Sequence, residues 1–324
     1  MMKAGYSMPL ATGTIASSGT LGILIPPSIM LVIMSDLLSV PVGTVFIAAL
    51  MPGLLLAALY FVYLLVLCRV KPQLAPPMDD DMGPSTRTEF WAMVFRSFLP
   101  PIFLILCVLG SIFLGFATPT EAAGVGAFGS ILLAAFNRQL TWANFVEVCK
   151  RSALTVAMLF GIFVGATAFA FVFKSLGGEA LIVDFINATS AGPWSILIVL
   201  LLMVFLLGFF FDWIEITLIV LPIFAPIVGL LDFGDHVGAW DGVSQPIIIW
   251  FLILVAVNLQ TSFLTPPFGF ALFYMKGVAP PEVRIQDIYK GIVPFVGLQA
   301  FGLMLCVAFP SIVLWFPSFM LGGG

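Results

Sequence analysis

Two apolar segments, one near each end of the chain, each contain an adjacent pair of prolines. The pairs are Pro26 and Pro27 within residues 19–28, and Pro266 and Pro267 within residues 258–269. A proline removes a helical hydrogen bond and clashes with the preceding turn, so each segment should be a helix that breaks inside the bilayer. Backbone N–H and C=O groups that lose their helical hydrogen bonds at that depth are tolerated only within a protein or beside a water-filled cavity. The breaks therefore predict a polar site enclosed between helices.

The composition places the chain in a membrane. Of its 324 residues, 61% are hydrophobic and 9% are charged, whereas soluble domains carry about 25% charged residues. The mean hydropathy is +1.19, and apolar runs of about 18 residues or more recur along the chain. These runs lack the alternation over about ten residues that a transmembrane barrel requires. The sequence therefore predicts an all-α polytopic membrane protein.

Catalytic and nucleic-acid-binding functions find no support in the residue pattern. The chain has a single histidine, His236, and its four cysteines are scattered singly. It therefore offers no multi-histidine metal site, no assured Ser/His/Asp triad and no phosphate-binding glycine loop with a lysine. A basic patch for nucleic acid is also missing. We expect neither an enzyme nor a bound cofactor, and no nucleic-acid partner.

The apolar runs predict seven membrane crossings and one hairpin. The crossings cover 7–37, 43–68, 92–115, 119–136, 150–176, 246–275 and 291–316, and the hairpin covers 194–230. The first and sixth crossings are the two that the proline pairs break. The hairpin is interrupted at Asp212, so it should consist of two short helices that meet inside the membrane. We further expect 139–149 and 281–290 to form short amphipathic helices on the cytoplasmic face, or else ordinary polar loops.

The distribution of positive charge predicts the orientation. If Lys3 is cytoplasmic and the crossings alternate, every one of the twelve Lys and Arg residues except Lys174 falls on the cytoplasmic side, as cytoplasmic loops require. The acidic loop 231–245 and the C-terminus then face outward, on the side opposite the cytoplasm. The first broken helix runs outward and the second runs inward, which is typical of an inverted-topology repeat with a binding site between its halves.

Polar residues accompany both breaks. At the first they are Ser17, Ser18, Gly19, Thr20 and Ser28 beside Pro26 and Pro27, and at the second they are Asn258, Gln260, Thr261, Ser262 and Thr265 beside Pro266 and Pro267. Carbonyls freed at such breaks coordinate coupling cations in broken-helix transporters, and hydroxyl oxygens suit the same ions. We interpret both clusters as sides of a cation site. Close helix packing through small residues is the alternative at the first break.

The predicted hairpin tip carries Asp212, Trp213, Glu215 and Thr217. Ionisable residues inside a membrane are costly and indicate function by default. Asp212 is also well placed to cap the second helix of the hairpin. Capping and cation binding are compatible, so both interpretations stay open.

Residues 117–121 are typical of the start of a helix. Thr118 can cap it, Pro119 suits its first turn, and Glu121 lies near the positive end of the helix dipole. This structural role explains the motif sufficiently.

Four motifs in sequence resemble the large membrane subunit of tripartite ATP-independent periplasmic (TRAP) transporters. They are residues 19–28, 117–123, 207–212 and 264–269. The resemblance extends across nearly the whole chain. It implies import of organic acids, such as dicarboxylates, keto acids or sialic acids, driven by a sodium gradient across the bacterial inner membrane. It also implies two partners, a small four-helix membrane subunit and a soluble periplasmic binding protein that delivers the substrate.

The resemblance further implies an elevator-type fold in which hairpins and broken helices form a mobile transport domain. We then expect one membrane domain over 1–324, divided into 1–37 (the broken helix of the first repeat), 38–149 (scaffold-type helices with a cytoplasmic loop at 69–91), 150–290 (the second repeat, with hairpin 194–230 and broken helix 246–275) and 291–316 (the last transmembrane helix). The expected sodium ligands are Ser18, Thr20, Asp212, Thr261 and Thr265. The chain begins just after the position of the family's first hairpin, so we expect an N-terminally truncated permease that lacks part of one sodium site.

The sequence thus predicts the permease subunit of a sodium-coupled organic-acid importer. A non-functional fragment of such a permease is one alternative. A channel is another, although channels need a continuous pore lined by polar rings and the polar residues here gather at two breaks.

Overall fold

The structure is a computed structural model that describes residues 1, 4–77, 86–178, 180–182, 184, 192–266 and 269–322. Its helices are α1 (Met8–Leu24), α2 (Ile29–Leu37), α3 (Val42–Val70), α4 (Arg87–Met93), α5 (Leu99–Phe113), α6 (Pro119–Phe136), α7 (Trp142–Ser175), α8 (Pro193–Leu207), α9 (Trp213–Gly229), α10 (Pro246–Leu264), α11 (Phe270–Val278), α12 (Ile285–Ala308) and α13 (Ser311–Leu321). A π-helical turn, Val94–Phe98, joins α4 to α5. The expected all-helical fold is confirmed over these residues.

Seven helical stretches of the described chain are long and apolar enough to cross a membrane. They are Met8–Leu37, Val42–Val70, Arg87–Phe113, Pro119–Phe136, Trp142–Ser175, Pro246–Leu264 and Ile285–Ala308. Three shorter apolar helices, α8, α9 and α13, accompany them. The protein is therefore a multi-pass membrane protein, as its composition predicts.

The chain divides into two compact units. One comprises Met1–Pro76 and Ile162–Gly324, and the other comprises Pro77–Gly161. In the second unit α5 packs against α6, and Thr118 and Glu121 form a reciprocal capping box at the start of α6. Most of its described side chains are at least partly exposed, and an exposed apolar surface of this kind suits contact with lipid or another membrane protein.

The first proline pair ends α1 and separates it from α2. Pro27 has no N–H, so the carbonyl of Ile23 loses its helical donor. The Ser28 hydroxyl donates to that carbonyl instead. Ser28 also caps α2, because its oxygen accepts the backbone N–H of Leu31 at 3.5 Å. One hydroxyl thus serves both sides of the break, as a broken helix in lipid requires.

The second proline pair follows α10. The helix ends at Leu264, and α11 begins at Phe270. The Thr265 hydroxyl donates to the Thr261 carbonyl at 2.7 Å, so a side chain again binds backbone next to the break. Pro267 lies outside the described residues.

Helix α10 forms the centre of the larger unit. Every residue from Ile249 to Leu264 is buried, and the surrounding helices include α1, α3, α8, α9 and α12. A helix that is apolar on all sides is expected at such a position. The polar residues on α10 therefore face protein rather than lipid.

The hairpin is formed by α8 and α9, which pack against each other. They have 15 and 17 residues, which corresponds to about 22 and 26 Å at about 1.5 Å per residue. A full crossing needs about 30 Å. Asp212 caps α9, since its Oδ1 accepts the N–H of Trp213 at 2.8 Å. The predicted capping role of Asp212 is confirmed.

Contacts at two positions along the helix axes show that α1 and α12 run in the same direction. Gly13 lies against Gly291, where a β-carbon on either glycine would overlap with the backbone of the other helix. Seven residues further along α1, Thr20 meets Gln299 of α12. Because the residue numbers rise together, the two helices are parallel, which agrees with the alternation predicted from charge.

The same reasoning shows that α10 and α12 are antiparallel. Trp250, near the start of α10, binds the carbonyl of Cys306 near the end of α12. Leu264, at the end of α10, packs with Ile292 in the first half of α12. These relative directions also agree with the predicted alternation, while the absolute orientation stays a prediction.

A third interruption separates α12 from α13. Pro310 lacks an N–H, so the carbonyl of Cys306 has no helical donor. The indole N–H of Trp250 donates to it at 2.9 Å, and His236 Nε2 lies 2.9 Å from the next carbonyl, that of Val307. The rings of Trp194 and Phe233 pack edge-on around these two groups. This aromatic cluster joins the start of the hairpin to α10 and α12.

Helix boundaries differ from expectation at three places. Residues 142–149 are the first turns of α7, and Glu147 pairs with Arg151 at 2.5 Å across the predicted boundary, because no helix breaker separates them. Residues 285–290 likewise open α12, where Asp287 accepts the N–H of Arg284. The predicted separate amphipathic helices at 139–149 and 281–290 are therefore wrong. The crossing expected over 291–316 is interrupted by Pro310.

The bond from Trp250 to Cys306 predicts a stability effect. Trp250→Phe should lower the free energy of unfolding by roughly 1–3 kcal/mol, because it leaves a buried carbonyl without a donor. Thermal unfolding of the detergent-solubilised chain measures this. Trp315→Phe is the matched control, because Trp315 is 52% exposed. Equal melting temperatures for the two variants would contradict the role assigned to the indole.

Candidate functional site

A cavity of about 450 Å³ lies where the two broken helices meet the hairpin tip. The lining residues come from α1, from the start of α9, from the end of α10, and from α11. The residues are Ile15, Ala16, Gly19, Thr20, Ile23, Asp212, Trp213, Phe263, Ala271, Tyr274, Met275 and Val278. The cavity lies between the breaks, where the sequence predicts a site, and Thr20, Asp212 and Tyr274 are the polar residues of its lining.

Helix α1 contributes the glycine and threonine of the first predicted cluster. Gly19 has no atom near the position of a β-carbon, so it leaves the helix surface open to the cavity. Thr20 is 3% exposed. Its hydroxyl donates to the Ser17 carbonyl at 2.8 Å and accepts the side-chain N–H of Gln299 at 3.4 Å. Thr20 is thus the hydroxyl that the first break brings to the cavity.

Asp212 contributes the carboxylate of the cavity lining. It is partly buried, and its Oδ1 holds the N–H of Trp213. No Lys, Arg or His is among the described residues that line this cavity. A carboxylate in a membrane protein without a basic neighbour calls for another positive group. Asp212 and Thr20 therefore offer oxygen ligands to a cation in this cavity.

Helix α11 presents one face to the cavity. Its lining residues 271, 274, 275 and 278 follow helical spacing, and Phe263 completes this wall from the end of α10. Tyr274 adds a phenol and Met275 a thioether to the lining. The wall is mainly apolar, so it supplies shape rather than charge.

Residues beside the hairpin tip carry buried polar atoms without partners. The Oε2 of Glu215 and the Oγ1 of Thr217 are buried and have no hydrogen-bond partner within the described structure. They lie in the first turns of α9, next to Asp212. Neither lines the cavity, so their predicted part in a site stays a prediction.

The structure brings only part of the predicted cluster at the first break to the cavity. Ser17 is fully buried, with its hydroxyl unpaired among the described residues. Ser18 lies on the exposed side of α1 and does not line the cavity. Pro26 and Pro27 form the break itself, joined by a cis peptide bond. Only Gly19 and Thr20 of this cluster reach the cavity.

The second predicted cluster mainly anchors the hairpin. Asn258 donates from Nδ2 to the Leu201 carbonyl of α8 at 2.6 Å, and the Ser262 hydroxyl lies 3.3 Å from the Phe205 carbonyl. A β-carbon at Gly208 would overlap with the Ser262 side chain. The structure thus places Asn258 and Ser262 at the contact between α8 and α10.

The remaining members of that cluster lie around the second break. Thr261 is buried with an unpaired hydroxyl in the described structure, Thr265 donates to the Thr261 carbonyl, and Pro266 is exposed. None of the three lines the cavity. The assignment of Thr261 and Thr265 as sodium ligands remains a prediction.

Sequence reasoning missed several residues of the site. Tyr274 and Met275 lie just after the second break, and their spacing with Ala271 and Val278 was a readable signal. Gln299 is different, because its contact with Thr20 joins residues that are far apart in sequence. The available signal for it was a single polar side chain within the otherwise apolar stretch 291–308. In the described part of the chain no three His, Cys, Asp or Glu side chains come together as metal ligands.

Known proteins similar to this chain match nearly all of it, and the chain spans about 70% of the length of each relative named below. The family model described as "Tripartite ATP-independent periplasmic transporter, DctM component" matches residues 1–312. The C4-dicarboxylate TRAP transporter large permease protein DctM of Pseudomonas aeruginosa is 30% identical, over 99% of this chain and 70% of that protein. The sialic acid TRAP transporter large permease protein SiaM of Vibrio cholerae is 27% identical, over 100% and 71%. The ectoine TRAP transporter large permease protein TeaC of Halomonas elongata is 26% identical, over 97% and 69%.

The contact between Gly208 and Ser262 predicts how the hairpin tolerates substitution. Gly208→Ala should lower the free energy of unfolding by about 1–3 kcal/mol, because an added methyl group overpacks this contact. Gly192→Ala, at the start of the same helix, is the control, because no atom lies near that β-carbon position. Thermal unfolding in detergent compares the two, and an equal effect would show that the hairpin does not rest on this contact.

Proposed function

Because the chain belongs to the DctM component family of tripartite ATP-independent periplasmic transporters, we propose that it imports an organic acid together with sodium ions. The observation that carries this proposal is the cavity at which both broken helices meet the hairpin tip. Transporters bind substrates and coupling ions at such breaks. Proteins of this family are permease subunits rather than enzymes.

The charges in the cavity support a coupling cation. Asp212 is the one ionisable carboxylate of the described lining, and no basic side chain accompanies it there. A sodium ion bound by the Asp212 carboxylate and the Thr20 hydroxyl supplies the missing positive charge. The proposed sodium ligands Ser18, Thr261 and Thr265 lie outside the cavity in this arrangement, and they would require a rearrangement of the breaks to join it.

The same cavity suits an organic acid once the cation is bound. Two of the relatives bear names of C4-dicarboxylate and sialic acid transporters. An anion entering this cavity meets Asp212, which repels it until sodium neutralises the carboxylate. The helix starts at Trp213 and Phe270 add positive dipole ends near the cavity. Sodium and substrate therefore bind best together.

Coupling then follows from a shift in population. Sodium favours the arrangement in which the hairpin tip and both broken helices enclose the cavity, and the substrate binds that arrangement best. The short hairpin formed by α8 and α9 enters and leaves the membrane on the same side. Together with the broken helices it carries the site across the membrane as one body. This is the elevator-type movement that the family resemblance implies.

The proposed partners are those of the transporter family. A periplasmic binding protein delivers the substrate, and a small four-helix membrane subunit binds the exposed apolar surface of the permease. The chain lies in the bacterial inner membrane with its C-terminus in the periplasm. Uptake by proteoliposomes that contain both membrane subunits, with the binding protein outside, tests the whole assembly. Saturable uptake that requires sodium and the binding protein supports the proposal, and a sodium-independent, non-saturable flux supports a channel.

Asp212→Asn tests the cation site on the chain itself. The measurement is the melting temperature in detergent during titration with sodium chloride, at an ionic strength kept constant with choline chloride. The variant should raise the sodium concentration for half-maximal stabilisation about 10-fold to 100-fold, because an interaction with a charged group contributes roughly 1.5–3 kcal/mol.

Asp235→Asn is the matched control, since Asp235 is exposed in the loop after α9. It should leave the sodium response unchanged. An Asp212→Asn variant that responds to sodium like the wild type would remove Asp212 from the site.

A further inference from the structure

Thr20 is oriented by a residue that does not itself line the cavity. Gln299 of α12 is 0% exposed, and its Nε2 donates to Thr20 Oγ1 at 3.4 Å. Thr20 itself lines the cavity. The following inference rests on the proposed function, because it concerns how Thr20 faces a sodium ion.

The hydrogen bonds of Thr20 leave it one free position. A hydroxyl has one hydrogen and two lone pairs. The hydrogen goes to the Ser17 carbonyl at 2.8 Å, and one lone pair accepts the amide hydrogen of Gln299. What remains is a single lone pair. Thr20 therefore offers the cavity an acceptor and no donor, which favours a cation over an anion.

The hydrogen bonds of the Gln299 amide offset little of the free-energy cost of burying it. Its Oε1 is buried and forms no hydrogen bond of good geometry in the described structure, and its bond to Thr20, at 3.4 Å, is longer than the usual range. Burying an amide with so little compensation costs stability. An apolar side chain of similar size would pack here at a lower cost.

Other buried polar groups surround this amide. Tyr60 of α3 interacts with the Gln299 side chain and packs edge-on against Phe295, one turn before Gln299, at 5.1 Å between ring centroids. The hydroxyls of Tyr60 and Ser17 are buried and form no hydrogen bond of good geometry with the described residues. A line of polar groups thus runs from α3 through α12 to α1, and it reaches the cavity at Thr20.

We infer that Gln299 is a positioning residue of the sodium site. By donating to Thr20 Oγ1 it holds the free lone pair of that hydroxyl toward the cavity that Asp212 also lines. It acts on sodium through Thr20 and makes no contact with the ion.

A double-mutant cycle on the purified full chain tests this role. The readout is the melting temperature in sodium chloride against choline chloride at constant ionic strength. Gln299→Met removes the amide donor and keeps a side chain of similar length. In choline its melting temperature should equal or exceed that of the wild type, because a costly buried amide is gone. The sodium concentration for half-maximal stabilisation should rise about threefold to tenfold, the range of one neutral hydrogen bond.

The double-mutant cycle also predicts how the effects of the two substitutions on the sodium response combine. Thr20→Val should raise the half-maximal sodium concentration by itself. Adding Gln299→Met to Thr20→Val should change it by less than about twofold, because both substitutions act on the same oxygen. Gln299→Asn is a second single variant, whose shorter side chain does not reach Thr20 and should weaken the sodium response in the same direction. Gln286→Met, at an exposed position of the same helix, is the control and should leave the response unchanged.

Two results would overturn the inference while leaving the proposed function intact. In the first, Gln299→Met and Gln299→Asn respond to sodium like the wild type. In the second, the effects of Gln299→Met and Thr20→Val multiply fully in the double variant. A wild-type chain that shows no sodium-specific stabilisation would instead refute the proposed sodium site, and this inference with it.

Discussion

The need to satisfy backbone hydrogen bonds within a membrane governs this structure. Prolines interrupt three long helical stretches, and at each interruption a side chain binds a carbonyl near the break. Ser28 binds the Ile23 carbonyl, Thr265 binds the Thr261 carbonyl, and Trp250 binds the Cys306 carbonyl. Because lipid offers no hydrogen bonds, these side chains allow the helices to break where they do.

The three interruptions differ in what surrounds them. The one between α12 and α13 is enclosed by aromatic rings, and its carbonyls at Cys306 and Val307 contact Trp250 and His236. The first two flank a cavity. A satisfied and enclosed break stabilises the fold, whereas a break beside a cavity leaves polar groups available to a ligand. This contrast explains why proline alone does not mark a binding site.

The hairpin connects these two environments. The end opposite its tip meets the aromatic cluster through Trp194. Helix α8 is hydrogen-bonded along its length to Asn258 and Ser262 of α10, and the tip brings Asp212 to the cavity. The anchoring bonds go to backbone carbonyls, so they position the hairpin without adding charge. The tip therefore carries the charge of the site, and α10 supplies the rigid support.

Sequence alone determined the membrane location, the helical class, both proline breaks, the hairpin and the cap at Asp212, because these follow from local composition and backbone chemistry. It also singled out Gly19, Thr20, Asp212 and Trp213, which the structure brings to one cavity. Tertiary structure alone decided that Asn258 and Ser262 bind the hairpin, that Ser18 faces away, and that Gln299 meets Thr20. The physical reason is that a polar side chain in an apolar helix must find a partner, and the packing of distant helices decides which partner that is.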